Sequence, residues 1–154
     1  MEKKLRYVSL AFLPFMVLVL AAGCGGTVGS ISPKKDATEV AFLPTFSWKV
    51  KNPINDLTFE LYRAGEFDVK TKQAAAKPIL KVTKLDAAQQ QQIALSDLAT
   101  LKTKYGAEGD FLKPGHDMLE PSKDYVWVVR GTSANKPFVE AFKFRTRKEY
   151  YRQD

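Results

Sequence analysis

Apolar and polar residues alternate cleanly over several short stretches of this chain. Across residues 45–51, Phe46, Trp48 and Val50 face one way, and Thr45, Ser47, Lys49 and Lys51 the other. That is the period of a half-buried strand. Residues 57–63 repeat it, with Leu57, Phe59 and Leu61 on one face. Between them lies Asn52-Pro53-Ile54-Asn55-Asp56, which is turn chemistry. Ala64-Gly65-Glu66 turns the chain again, and residues 69–77 are polar and alanine-rich, read as a loop. Residues 79–85 are β-prone but laced with lysine, the pattern of a guarded edge strand. Residues 124–132 are the most strand-like run, apolar on both faces at Tyr125, Val126, Trp127, Val128 and Val129. After a turn at 133–137, residues 138–146 return with Phe142 and Phe144 on one face. Several short strands between turn clusters predict an all-β sandwich.

Residues 86–105 carry two periods at once. Ala94, Leu98, Leu101 and Tyr105 recur at helical spacing, whereas Ile93 and Leu95 alternate as in a strand. The segment is therefore split into a short strand at 91–95 and a helix at 97–105. A glycine- and charge-rich loop follows at 106–118. The register of that short strand and the role of 96–118 stay open.

The N-terminus has a different pattern. Lys3, Lys4 and Arg6 precede an apolar run from Tyr7 to Leu20, which ends in Leu20-Ala21-Ala22-Gly23-Cys24. A basic start, a short apolar core and small residues before a cut site make a secretory signal. Tyr7 to Ala22 is 16 residues with Pro14 inside, short of the roughly 20 apolar residues that span a bilayer. The only cysteine stands just after the site. This resembles the lipobox of bacterial lipoproteins, with Ala21 where leucine is commonest. The resemblance implies that Cys24 takes a diacylglyceryl group and becomes the new N-terminus. A lipoprotein of this kind typically carries three acyl chains, and two already anchor stably. Residues 1–23 are then signal peptide. Residues 24–39 are a lipidated start and a flexible Gly/Ser linker, reaching roughly 20 Å root-mean-square. The sandwich occupies 40–147, and 148–154 form a charged tail that should fray.

A second resemblance concerns the sandwich. Leu119-Glu-Pro121-Ser-Lys-Asp-Tyr125-Val-Trp127-Val-Val129 is similar to the F-strand signature of fibronectin type III domains. In that family a leucine and a proline precede the strand, and the tyrosine makes a corner by bonding backbone upstream. Phe46-Ser47-Trp48 resembles the family's B strand, residues 57–62 its C strand and 140–146 its G strand. Ile93, Leu95 and Leu98 then fall to strand E. About twenty residues intervene before Leu119 where family members need only a few, so the expected fold is an immunoglobulin-like, fibronectin type III-like sandwich with a short helical insertion before strand F. That fold is reused for many purposes and implies binding or spacing rather than chemistry.

Charge and motif content narrow the function further. The formal charge is +7, of which the leader carries +2, leaving +5 on a 131-residue mature chain. That is enough chain for one domain with its own core. With Cys24 lipidated no cysteine remains for a disulfide, so packing alone must hold the domain. There is no P-loop, dinucleotide fingerprint, zinc spacing or G-x-S-x-G nucleophile turn, and no nucleic-acid motif. His116, beside Asp117, is the only histidine, so a small hydrolase built on it is the enzymatic alternative. Asp110, Asp117 and Glu120 match no calcium loop. No catalytic residue, metal ligand or cofactor is assigned.

The functional candidates are surfaces. If Tyr125, Trp127 and Val129 point inward, Val126, Val128 and Arg130 point out, joined by Tyr62 on strand C and by Ala141, Lys143 and Arg145 on strand G. These make an apolar strip with a basic rim, the candidate binding face for an envelope protein or a glycan. The inserted helix, with Leu98, Leu101 and Tyr105, is expected to lie over it, because monomers seldom expose large apolar patches. Loops 52–56 and 133–137 form a second candidate at one end of the sandwich. The expected protein is a lipid-anchored, non-enzymatic envelope module. An accessory subunit of a secretion or transport complex is the alternative. Gly25 follows the cysteine where an inner-membrane lipoprotein usually carries aspartate, which points to the outer membrane of a two-membrane cell.

Overall fold

Two sheets face each other across an aromatic core. The computed structural model describes residues 27–86 and 92–148. The expected signal peptide, Cys24, the start of the short strand at Gln91 and the end of the tail lie outside the described residues. In chain order the strands are β1 (Val28–Ser32), β2 (Ala37–Val40), β3 (Thr45–Val50), β4 (Ile54–Arg63), β5 (Phe67–Asp68), β6 (Gln73–Ala74) and β7 (Leu80–Val82), then β8 (Gln92–Ala94), β9 (Asp124–Ser133) and β10 (Lys136–Thr146). One helix, α1 (Leu98–Thr103), and one 3-10 turn, Asp110–Leu112, lie between β8 and β9. The smaller sheet runs β1-β3-β8 and the larger β2-β10-β9-β4-β7; β5 and β6 pair as a separate hairpin. The strands expected as B and E thus share one sheet, and C, F and G the other, the immunoglobulin-like partition.

The core follows the alternation. Phe46 and Trp48 from β3 meet Phe59, Trp127 and Phe144 from the larger sheet. Ring centroids lie 5.0 Å apart for Phe46–Phe59, 5.5 Å for Phe46–Trp127 and 6.1 Å for Trp48–Phe59. Among the described residues, neither buried indole N–H finds an acceptor. β4 passes close to Gly131 on β9: a Cβ there would lie 2.7 Å from Ile54 Cγ2 and 2.9 Å from the Asn55 carbonyl. The β4–β9 register shifts beside it, between Asn55 and Thr58.

The linker expectation is corrected at its folded end. β1 pairs antiparallel with β3, and β2 pairs parallel with β10, so the domain begins at Val28 rather than Val40. Val28 is buried and Ile31 packs on the core. Alternation is obscured there because Ser30, Asp36 and Glu39 adopt positive φ and the β1–β3 register shifts between Gly29 and Ser32. The 69–77 loop is also more ordered than its composition implies, since Phe67 and Asp68 pair with Ala74 and Gln73. Asp68 Oδ1 accepts from the Lys70 and Thr71 N–H groups inside the turn. The Thr71 and then the Lys70 hydrogen bond hold that carboxyl below its usual range.

The insertion behaves partly as expected. Asp97 caps α1 by accepting from Thr100 N–H at 3.1 Å, and Leu101 is buried in the main core, with Leu98 and Tyr105 packed against it. The chain then runs along the edge strand β7. Lys81 and Glu108 exchange backbone hydrogen bonds, Lys84 N–H donates to Tyr105 O, and Phe111 N–H to Ile79 O. Gly109, at φ 129, permits this approach, because a Cβ would collide with the Ile79 carbonyl. The insertion therefore covers an open sheet edge, a standard liability of β proteins.

Candidate functional site

The register of the large sheet places the sequence-predicted face together. Tyr62 lies opposite Val126, and Glu60 opposite Val128, across β4 and β9. Val126 lies opposite Lys143, Val128 opposite Ala141 and Arg130 opposite Val139 across β9 and β10. The strip is nevertheless closed: Tyr62 and Val126 are each 2% exposed and Val128 is 0% exposed. Its cover is not the inserted helix. Tyr62, Val126, Val128 and Ala141 form a second apolar cluster with Phe67, and Val69 and Val139 pack on it. The Phe67 ring lies 5.1 Å from that of Tyr62. Phe67 opens the β5–β6 hairpin, which folds back over the outer face, while α1 packs into the main core.

The basic rim is neutralised in place. Arg130 Nη2 donates to Glu60 Oε2 at 2.7 Å, and the Tyr62 hydroxyl donates to the same oxygen at 2.8 Å. Burial first, then the Glu60 hydrogen bond and charge, raise the Tyr62 hydroxyl above its ordinary pKa, so it remains the donor. Lys143 lies 3.3 Å and Arg145 3.9 Å from Asp124. Arg145 also donates to the Ser122 carbonyl. Sequence reasoning overlooked Glu60, although the inward parity of Leu57, Phe59 and Leu61 turns Glu60 and Tyr62 outward together.

Two open surfaces lie at the ends of the sandwich. At the first, Ile54 pairs with Ser133 and Asn55 with Thr132, so the predicted loops 52–56 and 133–137 do adjoin. At the second, Arg63 pairs with Tyr125 and Arg145 with Asp124. There a cleft of about 230 Å³ is lined by residues including Arg63, Phe111, His116, Met118, Glu120 and Tyr125. The Tyr125 hydroxyl accepts from Glu120 N–H at 3.1 Å, bonding backbone upstream as the resemblance implies. Thr146 Oγ1 donates to the Glu120 carbonyl at 2.6 Å and braces the same turn. Tyr125→Phe is expected to cost about 1 kcal/mol, one net hydrogen bond, read as a lower urea midpoint with an unchanged slope.

Met118 at 40% and Leu43 at 39% are exposed large apolar residues, and both belong to this end, where Leu119 N–H donates to the Phe42 carbonyl. Sequence reasoning overlooked them, since single apolar residues in loops carry no periodicity. His116 is exposed in the loop before β9. Asp110 is held by Lys113 at 2.6 Å; that hydrogen bond and charge keep its carboxyl low. Among the described residues no group of three or more histidine, cysteine or acidic side chains gathers to hold a metal.

This chain is an immunoglobulin-like β-sandwich. No family model and no curated protein matches it. Among solved structures, CopC from Methylosinus trichosporium OB3b is similar at a TM-score of 0.47 and 12% identity, over 80% of this chain and 94% of that one. The fold assignment rests on the strand order and the aromatic core.

Proposed function

We propose that this protein is a lipid-anchored, non-enzymatic module of a bacterial envelope, facing away from the cytoplasm and presenting its Met118 end to a protein or glycan partner. The observation that carries the anchor is Leu20-Ala21-Ala22-Gly23-Cys24 behind a basic, apolar leader and directly ahead of a folded sandwich. Gly25 in place of aspartate favours the outer membrane where a cell has two. The outer sheet face is closed by Phe67 and Tyr62, and the partner end is favoured because it combines the cleft beside His116 with the exposed apolar Met118 and Leu43. Its lining mixes Arg63, Glu120 and Phe111, a polar and apolar mixture suited to recognition.

Expression in cells fed labelled fatty acid tests the anchor. The native chain should take up label and sediment with membranes, and Cys24→Ala should remain an unlabelled precursor. Label in Cys24→Ala rejects the lipobox reading. Met118→Glu combined with Leu43→Glu should leave stability within about 0.5 kcal/mol per site while removing crosslinks to the partner in intact cells. Unchanged crosslinks would place the binding surface elsewhere.

A further inference from the structure

We infer that the 52–56 and 133–137 end of the sandwich lies against the membrane and contacts anionic lipid headgroups, so that the Met118 end is displayed outward. This rests on the lipid anchor proposed above and adds an orientation to it. The first described residue, Thr27, is already tied down: its carbonyl accepts from Lys51 N–H at 3.2 Å, and Val28 N–H donates to Glu140 Oε1 at 3.0 Å. Val28 pairs with Val50 at the end of β3. The chain therefore enters the fold at the end formed by 51–55 and 133–136.

Only Gly25 and Gly26 separate Cys24 from Thr27. At no more than about 3.6 Å per residue, that reach is about 11 Å, comparable with the polar headgroup layer itself. A tether this short cannot let a β-sandwich tumble freely above its anchor. The end carrying Thr27 must stay beside the lipid, and the opposite end must stay away from it.

The charge at the entry end suits that position. Lys49, Lys51 and Lys136 are exposed there, with Asp56 the exposed acid of the same loops. Asn52, Pro53, Ala134 and Asn135 complete the tip and carry no charge. Exposed lysines beside a lipid anchor are drawn to anionic headgroups over about a Debye length, roughly 8 Å at physiological salt. The far end carries exposed charges of both signs, Asp110, Asp117 and Glu120 with Lys113 and Lys123.

The test uses the full chain, lipidated in cells and reconstituted in vesicles of phosphatidylcholine doped with phosphatidylglycerol and a headgroup nitroxide lipid. A fluorophore is placed on Asn135→Cys or, separately, on Asp117→Cys; Cys24 is blocked by its lipid. Quenching at position 135 should exceed that at 117 several-fold. Leaving out phosphatidylglycerol, or adding salt, should reduce the excess. A long Gly/Ser stretch inserted after Gly26 should remove most of it. Equal quenching with Cys24 shown lipidated by mass spectrometry overturns the orientation alone. A persistent excess after the insertion shows that the short tether does not set it. Indifference to phosphatidylglycerol and salt removes the lysine contact. An unmodified Cys24 overturns the anchor and the orientation together.

Discussion

Trp48→Ala is expected to lower the stability of the mature chain by about 3–5 kcal/mol, the usual range for emptying a buried tryptophan site. Trp48 is 1% exposed. Its ring lies nearly parallel to Phe59 at 6.1 Å and 6.1 Å from Trp127. Both neighbours belong to the opposite sheet, so the cavity opens between the sheets and neither can close it without moving its strand. Nothing covalent limits the damage, because the chain has one cysteine. Set against a typical total of about 5–15 kcal/mol, the loss leaves a marginal fold. Trp48→Phe should fall between the native chain and Trp48→Ala. It removes less volume, and it also removes an indole N–H that is buried without an acceptor among the described residues, a group that is costly to desolvate. Urea melts followed by far-ultraviolet circular dichroism read the effect without relying on tryptophan emission. A midpoint for Trp48→Ala within about 1 kcal/mol of native would mean that the two sheets do not pack through this ring.

The elements that the sequence reveals are those whose two faces see different surroundings. In β3, Phe46 and Trp48 are buried while Thr45 and Lys49 are exposed, and the alternation maps directly onto the sandwich. The Tyr125 corner was legible for a related reason: the leucine, the proline and the tyrosine that build it lie within seven residues. The elements that were obscured depend on partners distant in sequence. β2 has a residue at positive φ and takes its place from β10, more than a hundred positions away. Nothing local marks it as a strand. The cover of the outer face hangs on Phe67, one apolar residue followed by a polar segment, whose role exists only once the hairpin folds back onto Tyr62. The inserted helix had the stronger periodicity and was therefore the more visible candidate. Its apolar stripe is satisfied by the main core instead. The candidate face was thus correctly placed on the sheet and wrongly assigned its neighbour, because parity fixes which way a side chain points and says nothing about what meets it there.

Val128→Asp should be as damaging as emptying the Trp48 site, although Val128 belongs to the face turned away from the main core. The side chain is 0% exposed and packs in the cluster of Tyr62, Phe67, Val126 and Ala141. Directly across β4 stands Glu60, whose Oε2 already accepts from Arg130 and Tyr62. An aspartate here would be a second carboxylate, too short to reach water, beside a cation already engaged. An uncompensated buried charge of this kind costs about 3–5 kcal/mol. The sign of the pH dependence follows from the same surroundings. Burial and the Glu60 charge would raise the new carboxyl's folded pKa above its unfolded value of about 3.9. The penalty should therefore be full only above that raised pKa, and shrink as pH falls from there toward the unfolded value. Lys143→Ala is the control on the same face. Lys143 is exposed, and its pairing with Asp124 at 3.3 Å is a surface ion pair worth about 0–1 kcal/mol. The comparison separates a closed face from an open one. If the β5–β6 hairpin stood away from the sheet in solution, the introduced carboxylate would be hydrated and the chain would melt almost as the native protein does. That result would turn the strip of Tyr62, Val126 and Val128 back into an available surface. A loss of several kcal/mol that eases in acid places Phe67 over it.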